Sequence, residues 1–229
     1  MNINNKPKPE FDNYGKEYKK LVAQSLPSFL NSIDYFSEYK VKHILNHRKN
    51  MKTETLLDFG CGVGLSLKFF SKYFSNTKLW GWDISSASLK YAKSDFKLVN
   101  FTDDLKNVPK NYFSAVFAAN VFHHIEKKDQ IENILFCKDF LKSDGLLYII
   151  EHNPFNPFTR MIFNKSPLDR NAEMISLKDM AKLAHLAKMK IVRKKYISFF
   201  PEQLSFLNFL EKLINWIPIG AQYIVILKK

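Results

Sequence analysis

Asp58-Phe59-Gly60-Cys61-Gly62-Val63-Gly64 ends one short apolar run, and Asp83 ends the next, 19 residues after Gly64. Alternating glycines let a backbone turn sharply and pass close to a ligand with no Cβ in the way. The pyrophosphate fingerprint G-x-G-x-x-G requires a third glycine where Leu65 stands, and no Gly-Lys-Ser/Thr follows for a P-loop. Asp58, just ahead of the turn, favours a ligand with positive charge over a diphosphate. A carboxylate at Asp83 can accept hydrogen bonds from both hydroxyls of a ribose. The competing role for Asp83 is to cap the helix that starts near Ser85-Ser86.

A second group of reactive side chains follows two later apolar runs: His123 and His124 after one, Glu151, His152 and Asn153 after the other. An acceptor hydroxyl must lose its proton during group transfer, and an imidazole that titrates near neutrality suits the task. His124 is the preferred general base. His123 reads better as a packing or helix-capping residue. Glu151 and His152 close a buried strand, where an unpaired charge is costly, so a structural pairing with Arg160 or Arg170 competes with a catalytic role. No Cys/His spacing suggests a metal ligand set, and no metal is expected. Cys61 in a glycine turn and Cys137 in an apparent helix make poor disulfide partners, which fits a cytoplasmic setting.

The elements that must position these residues alternate. Residues 11–50 carry aromatic and aliphatic positions at near-helical spacing (Tyr14, Tyr18, Leu21; Tyr35, Phe36, Tyr39, Ile44) and are expected to form an N-terminal helical cap, residues 1–50, of the same domain as 51–229. Tyr14 and Tyr18 are candidates to close over a bound cofactor. Strands are expected from Thr55, over Lys78–Asp83, Phe96–Phe101, Ser114–Ala119 and Leu146–Glu151, with helices between them. Five strand–helix repeats argue for an α/β, doubly wound, Rossmann-like sheet with a ligand crevice at the strands' carboxyl ends. Residues 153–172 read as a Pro/Asn-punctuated insertion. Ser176 and Asp179 form a capping box for a helix to about Ala187, followed by a strand over 189–198. Pro201 opens an amphipathic helix with Leu204, Leu207, Leu210 and Ile214 on one face, and Gln222–Leu227 is the final strand.

The chain has 229 residues, 46% of them hydrophobic, which is enough for one sizeable core. The first ten residues lack the apolar stretch of a signal peptide, and no apolar run reaches the length needed to span a bilayer. Thirty-five Lys+Arg against 22 Asp+Glu leave a net charge of +13. Such a field attracts anionic metabolites, nucleic acid or an acidic membrane surface, and a lysine-heavy codon composition is an equally good origin for it.

Taken in order, LLDFGCGVG, WGWDIS, the acidic pair Asp103-Asp104 and ANVFHHI resemble successive motifs of the class I S-adenosylmethionine-dependent methyltransferase family over roughly residues 55–152. The resemblance implies a seven-stranded sheet in the order 3-2-1-4-5-7-6 with an antiparallel last strand, and S-adenosylmethionine as cofactor. It implies Gly60, Cys61, Gly62 and Gly64 along the methionine part, with Asp58 ahead of them. Asp83 would meet the ribose, Ile84 the adenine, Thr102 or Asp103 the adenine amine, and Asn120 and Val121 the sulfonium side. EHNPFNPFTR, SPLDRNAEMI, the Phe-Phe-Pro segment and IPIGAQY also resemble a bacterial, small-molecule-type subgroup of the family. The expected substrate is a small or carrier-linked, anionic metabolite methylated on oxygen. The rivals are a nucleic-acid methyltransferase, favoured by charge alone, and a cofactor-binding module without chemistry.

Overall fold

The structure, a computed structural model, describes residues 33–229. Thr55–Phe59 (β1), Lys78–Trp82 (β2), Asn100–Thr102 (β3), Phe113–Ala119 (β4) and Leu141–His152 (β5) pair in parallel in the order β3-β2-β1-β4-β5. Lys190–Ile197 (β6) and Gln222–Lys228 (β7) complete the sheet, with β7 antiparallel between β5 and β6. The seven-strand order is the one expected from the sequence.

Helices Ile33–His47 (α1), Leu65–Tyr73 (α2), Ser86–Asp95 (α3), Gln130–Phe140 (α4), Pro157–Lys165 (α5), Leu177–Leu186 (α6) and Glu211–Ile214 (α7) surround the sheet. Every residue of β1 is buried, because both faces of the sheet are covered. Alternate residues divide between two cores. Leu57, Val116, Leu147 and Val225 pack with Ile134 and Cys137 of α4 and Met180 of α6. Leu56, Phe117, Tyr148 and Ile224 pack on the other face with Val41 and Ile44 of α1 and Phe70 of α2.

Local chemistry fixes where the helices start. The Ser85 hydroxyl accepts from Ser88 N at 3.1 Å, Ser176 from Asp179 N at 3.1 Å, and Asn156 from Thr159 N at 2.8 Å. The first two caps follow the sequence expectation. The third starts a helix, α5, inside what read as an irregular insertion: Asn156-Pro157 is a cap followed by a first-turn proline.

Three other boundaries differ. β3 starts at Asn100, because Phe96 caps α3 and lies against the glycine turn at Gly64. β5 starts at Leu141, which pairs with Phe113 before a bulge shifts the register to Ala115–Leu146. The segment after Pro201 is a 3-10 stretch, Glu202–Leu210, that continues into the single turn of α7. Tyr14 and Tyr18 lie outside the described residues. Among the described residues, no helix is long and apolar enough to cross a membrane.

Candidate active site

At the carboxyl end of β1 the chain leaves the sheet through the glycine turn. Gly60 N and Cys61 N both donate to Trp82 O, at 2.7 and 3.0 Å, and bind the turn to the end of β2. Gly60 has φ +74°, and a Cβ built on it would stand 2.5 Å from Val121 Cγ2. Only glycine fits there. Gly64 caps α2 at φ +86°, and Gly62 faces open space. Cys61 is buried with Leu67 and Leu89, so its side chain packs into the core beneath the turn.

Asp83 spans the turn. Its carboxylate accepts from Gly62 N at 2.7 Å and from Ser85 N at 2.8 Å, so one side chain joins the glycine turn to the start of α3. Beside it, Ile84 is 57% exposed at the strand end. The Thr102 hydroxyl turns back on Asp104, exchanging bonds with its N–H and carbonyl, whereas Asp103 is exposed.

Asp58 is buried, and its Oδ2 has no hydrogen-bond partner among the described residues. Burial, then the neighbouring Asp83, pushes its carboxyl up to about 8, against the pull of Lys40. Lys40, on α1, is itself held down to about 8 by burial, with Glu151 and Asp58 favouring its charge. A buried carboxylate with one oxygen unpartnered beside the glycine turn matches a cationic ligand group, and the exposed Ile84 matches a flat apolar one. These residues fit the cofactor that the sequence resemblance implies.

Next to the turn lies a cavity of about 550 Å³. Leu65 and Asn120 form its border with the glycine turn, and Lys40, His124, His152 and Asp169 line it. Asn120 adopts φ +58°, and its side chain accepts from Gln222 Nε2 at 3.0 Å.

The histidines are organised by Glu151. This fully buried carboxylate accepts from Val121 N at 2.9 Å, Phe122 N at 2.7 Å and His123 Nδ1 at 2.5 Å. It does not pair with Arg160 or Arg170, the arginines weighed as its partners, because three donors at the end of β4 satisfy it. Burial opposes a charge on His123, yet Glu151 and Asp169 hold its imidazole up at about 9. His123 Nε2 and His124 Nε2 each lie 3.4 Å from Asp169 Oδ1. His124 and His152 are instead held down, to about 3 and about 4, by burial and then by the positive His123. The cluster therefore places one charged imidazole between two carboxylates, with two neutral imidazoles beside it.

His123, His124 and Asp169 also bring one ligand atom each within 4.8 Å of one another, close enough for a divalent cation to bridge. The sequence reading missed Lys40 and Asp169. Lys40 had a signal, since it falls between Phe36 and Ile44 at i, i+4 spacing on the apolar side of α1. Asp169 lies inside the SPLDRNAEMI motif but had no signal as a partner of the histidines, because only the tertiary fold carries the turn after α5 back to them. Asn153, a candidate neighbour of the site, is fully buried and donates to the carbonyls of Pro218 (3.0 Å) and Gly220 (2.8 Å), a structural role.

Residues 56–145 match the sequence profile of a family described as a methyltransferase domain. The chain is similar to an uncharacterised protein of Haemophilus influenzae, with 28% identity over 62% of this chain and 57% of that protein. It is also similar to norreticuline-7-O-methyltransferase of Papaver somniferum, with 25% identity over 52% of this chain and 35% of the other. These matches cover only about half and a third of the relatives' own lengths. Among solved structures, an SAM-dependent methyltransferase from Archaeoglobus fulgidus shares the fold with a TM-score of 0.71 at 17% identity, over 93% of this chain and 100% of that one.

Proposed function

We propose that this chain, which carries a methyltransferase domain of the class I, S-adenosylmethionine-dependent type, methylates an oxygen of a small or carrier-linked anionic metabolite. When bound, the cofactor supplies a methyl group already activated by its sulfonium, so the chain's own residues have only to align an acceptor and take its proton. The observation that carries the reading is the cavity beside the glycine turn, walled by Lys40 and the histidine cluster.

In this reading Asp83 holds the ribose hydroxyls, Ile84 flanks the adenine, and Asp103 or Thr102 meets its amine. Asp58 faces the cationic amino-acid end, beside the backbone of Gly60, Cys61, Gly62 and Gly64. Asn120 and Val121 border the reacting methyl. Tyr14 and Tyr18 are proposed to close over the cofactor from the leading segment. His124, partly open to the cavity beside Asp169, takes the acceptor proton, with His152 as the adjacent alternative; burial and the positive His123 hold both well below the near-neutral range expected from the sequence, so each is a weaker base than a free imidazole. His123 stays charged between Glu151 and Asp169, and with Lys40 it favours an anionic acceptor. Glu151 is a positioning residue that fixes His123. The lack of a membrane-long helix among the described residues fits action in the cytoplasm.

The test uses methyl-labelled cofactor with fractionated cell extract. Label is expected in one small-molecule or lipid fraction, and His124→Ala should lower turnover by about 10²-fold or more while cofactor affinity stays within twofold. Tight cofactor binding with no labelled fraction would favour a binding module. Label in RNA would favour the nucleic-acid reading, and unchanged turnover in His124→Ala would remove that residue from the chemistry.

A further inference from the structure

The segment that links β6 to β7 is apolar on the wrong side. Phe206 (68% exposed), Phe209 (66%), Leu213 (72%) and Trp216 (74%) follow one another at intervals of three, four and three residues, which puts them on one flank of a helical path. The opposite flank carries Glu211, only 6% exposed, which accepts from the Tyr39 hydroxyl and from Phe199 N. A helix at a soluble surface turns its apolar stripe inward and its charges outward. Here four large apolar side chains face out while a carboxylate is buried. Single exposed apolar residues are ordinary, but a contiguous row of them marks a contact surface.

The row continues onto a second element. The Asn156 side chain donates to Ile219 O at 2.6 Å, and Asn153 donates to Pro218 O and Gly220 O. These bonds hold the start of α5 against the end of the linking segment, so exposed Phe155 and Phe158 join Ile219 and Trp216. Phe158 also lines the cavity, together with Phe199, Phe200 and Pro201 from the start of the linking segment, so both elements of this surface reach the cavity.

The charge around the row selects its occupant. Arg160, Lys165 and Lys212 are exposed on the two elements, against a single exposed acid, Glu202. A second copy docked through the same patch would bring like charges together. Residues 1–32 are also cationic, with five Lys against three Asp and Glu. An anionic partner with an apolar interior satisfies both the charge and the aromatic row, and that is the chemistry of an acidic lipid surface.

We propose that the face formed by Phe155, Phe158, Phe206, Phe209, Leu213 and Trp216 docks on an anionic lipid surface, from which a lipid-anchored acceptor enters the cavity. The second half of this proposal rests on the methyl-transfer reading; the first does not. Co-sedimentation of the full chain, without cofactor or acceptor, separates the two. Vesicles of phosphatidylcholine with one quarter phosphatidylglycerol should bind at least tenfold more tightly than phosphatidylcholine alone. Serine at positions 206, 209, 213 and 216 together should reduce that binding at least tenfold, with cofactor affinity and thermal midpoint within error of the parent. The milder pair R160E and K212E, which leaves the apolar row intact, should reduce it too and lower its salt sensitivity, because the binding that remains is the apolar part. Equal binding to neutral and anionic vesicles, or binding unchanged in both variants, overturns the proposal. So does a wild-type dimer that the serine variant dissociates while vesicle binding is absent.

Discussion

Asp58 and Glu151 are both buried carboxylates, and the structure treats them in opposite ways. Glu151 meets two backbone amides and an imidazole, and despite the burial that works against it, His123 and these donors hold its carboxyl below the usual range. Asp58 has one oxygen without a partner and is pushed up to about 8. A carboxyl whose folded value exceeds its unfolded one contributes stability that is present below pH 4 and lost as pH rises through 8. Asp58→Asn should therefore match the parent's stability near pH 4 and exceed it near pH 8, by on the order of 2 kcal/mol in chemical denaturation. The same substitution should weaken S-adenosylmethionine binding. In the parent at pH 7, binding of the cationic cofactor should release a proton from Asp58, seen as a dependence of calorimetric enthalpy on the buffer's ionisation heat. If the enthalpy is the same in every buffer and the denaturation curves stay parallel from pH 4 to 8, Asp58 does not hold that proton.

At the scale of elements, the glycine turn works because three neighbours fit at once: β1, the end of β2 and the loop after β4. Gly60→Ala forces a Cβ onto Val121 at positive φ, and it should destabilise the fold by roughly 1–3 kcal/mol and weaken cofactor binding. Adding Val121→Ala removes the steric part and should restore some stability; if it restores none, the backbone angle alone sets the cost. The turn and the strands before and after it were legible in the sequence because buried parallel strands read as apolar runs closed by Gly or Asp. The linking segment before β7 was half legible. Leu207, Leu210 and Ile214 are half-buried, but Leu204, expected on the same face, is 41% exposed where the backbone leaves helical geometry, and the equally apolar row on the other flank has no sequence signature that says it stays exposed. The histidine cluster was legible as a set of residue types and illegible as a network. His123 and Glu151 lie 28 positions apart on adjacent strand ends, and only the parallel β4–β5 pairing brings them together.

For the whole molecule, the net charge of +13 acts over a distance set by salt. At about 0.15 M ionic strength it is screened beyond roughly 8 Å. With an anionic acceptor, KM should rise several-fold between low salt and about 0.5 M, while kcat changes little, because steering affects encounter and leaves the aligned complex alone. A KM that does not change over that range would assign the lysines to composition rather than to substrate capture.

β7 lies between β5 and β6 although it follows both in sequence. A ribosome that has delivered the chain only as far as β6 has therefore delivered a strand with no neighbour to join, and β5 presents an open edge to whatever is nearby. The half of the sheet that carries the glycine turn can close early around β1 and β4, but its outer half waits for Gln222–Lys228 to arrive and join both strands at once. In the nascent protein, that interval is when this fold is most exposed to pairing with the wrong chain.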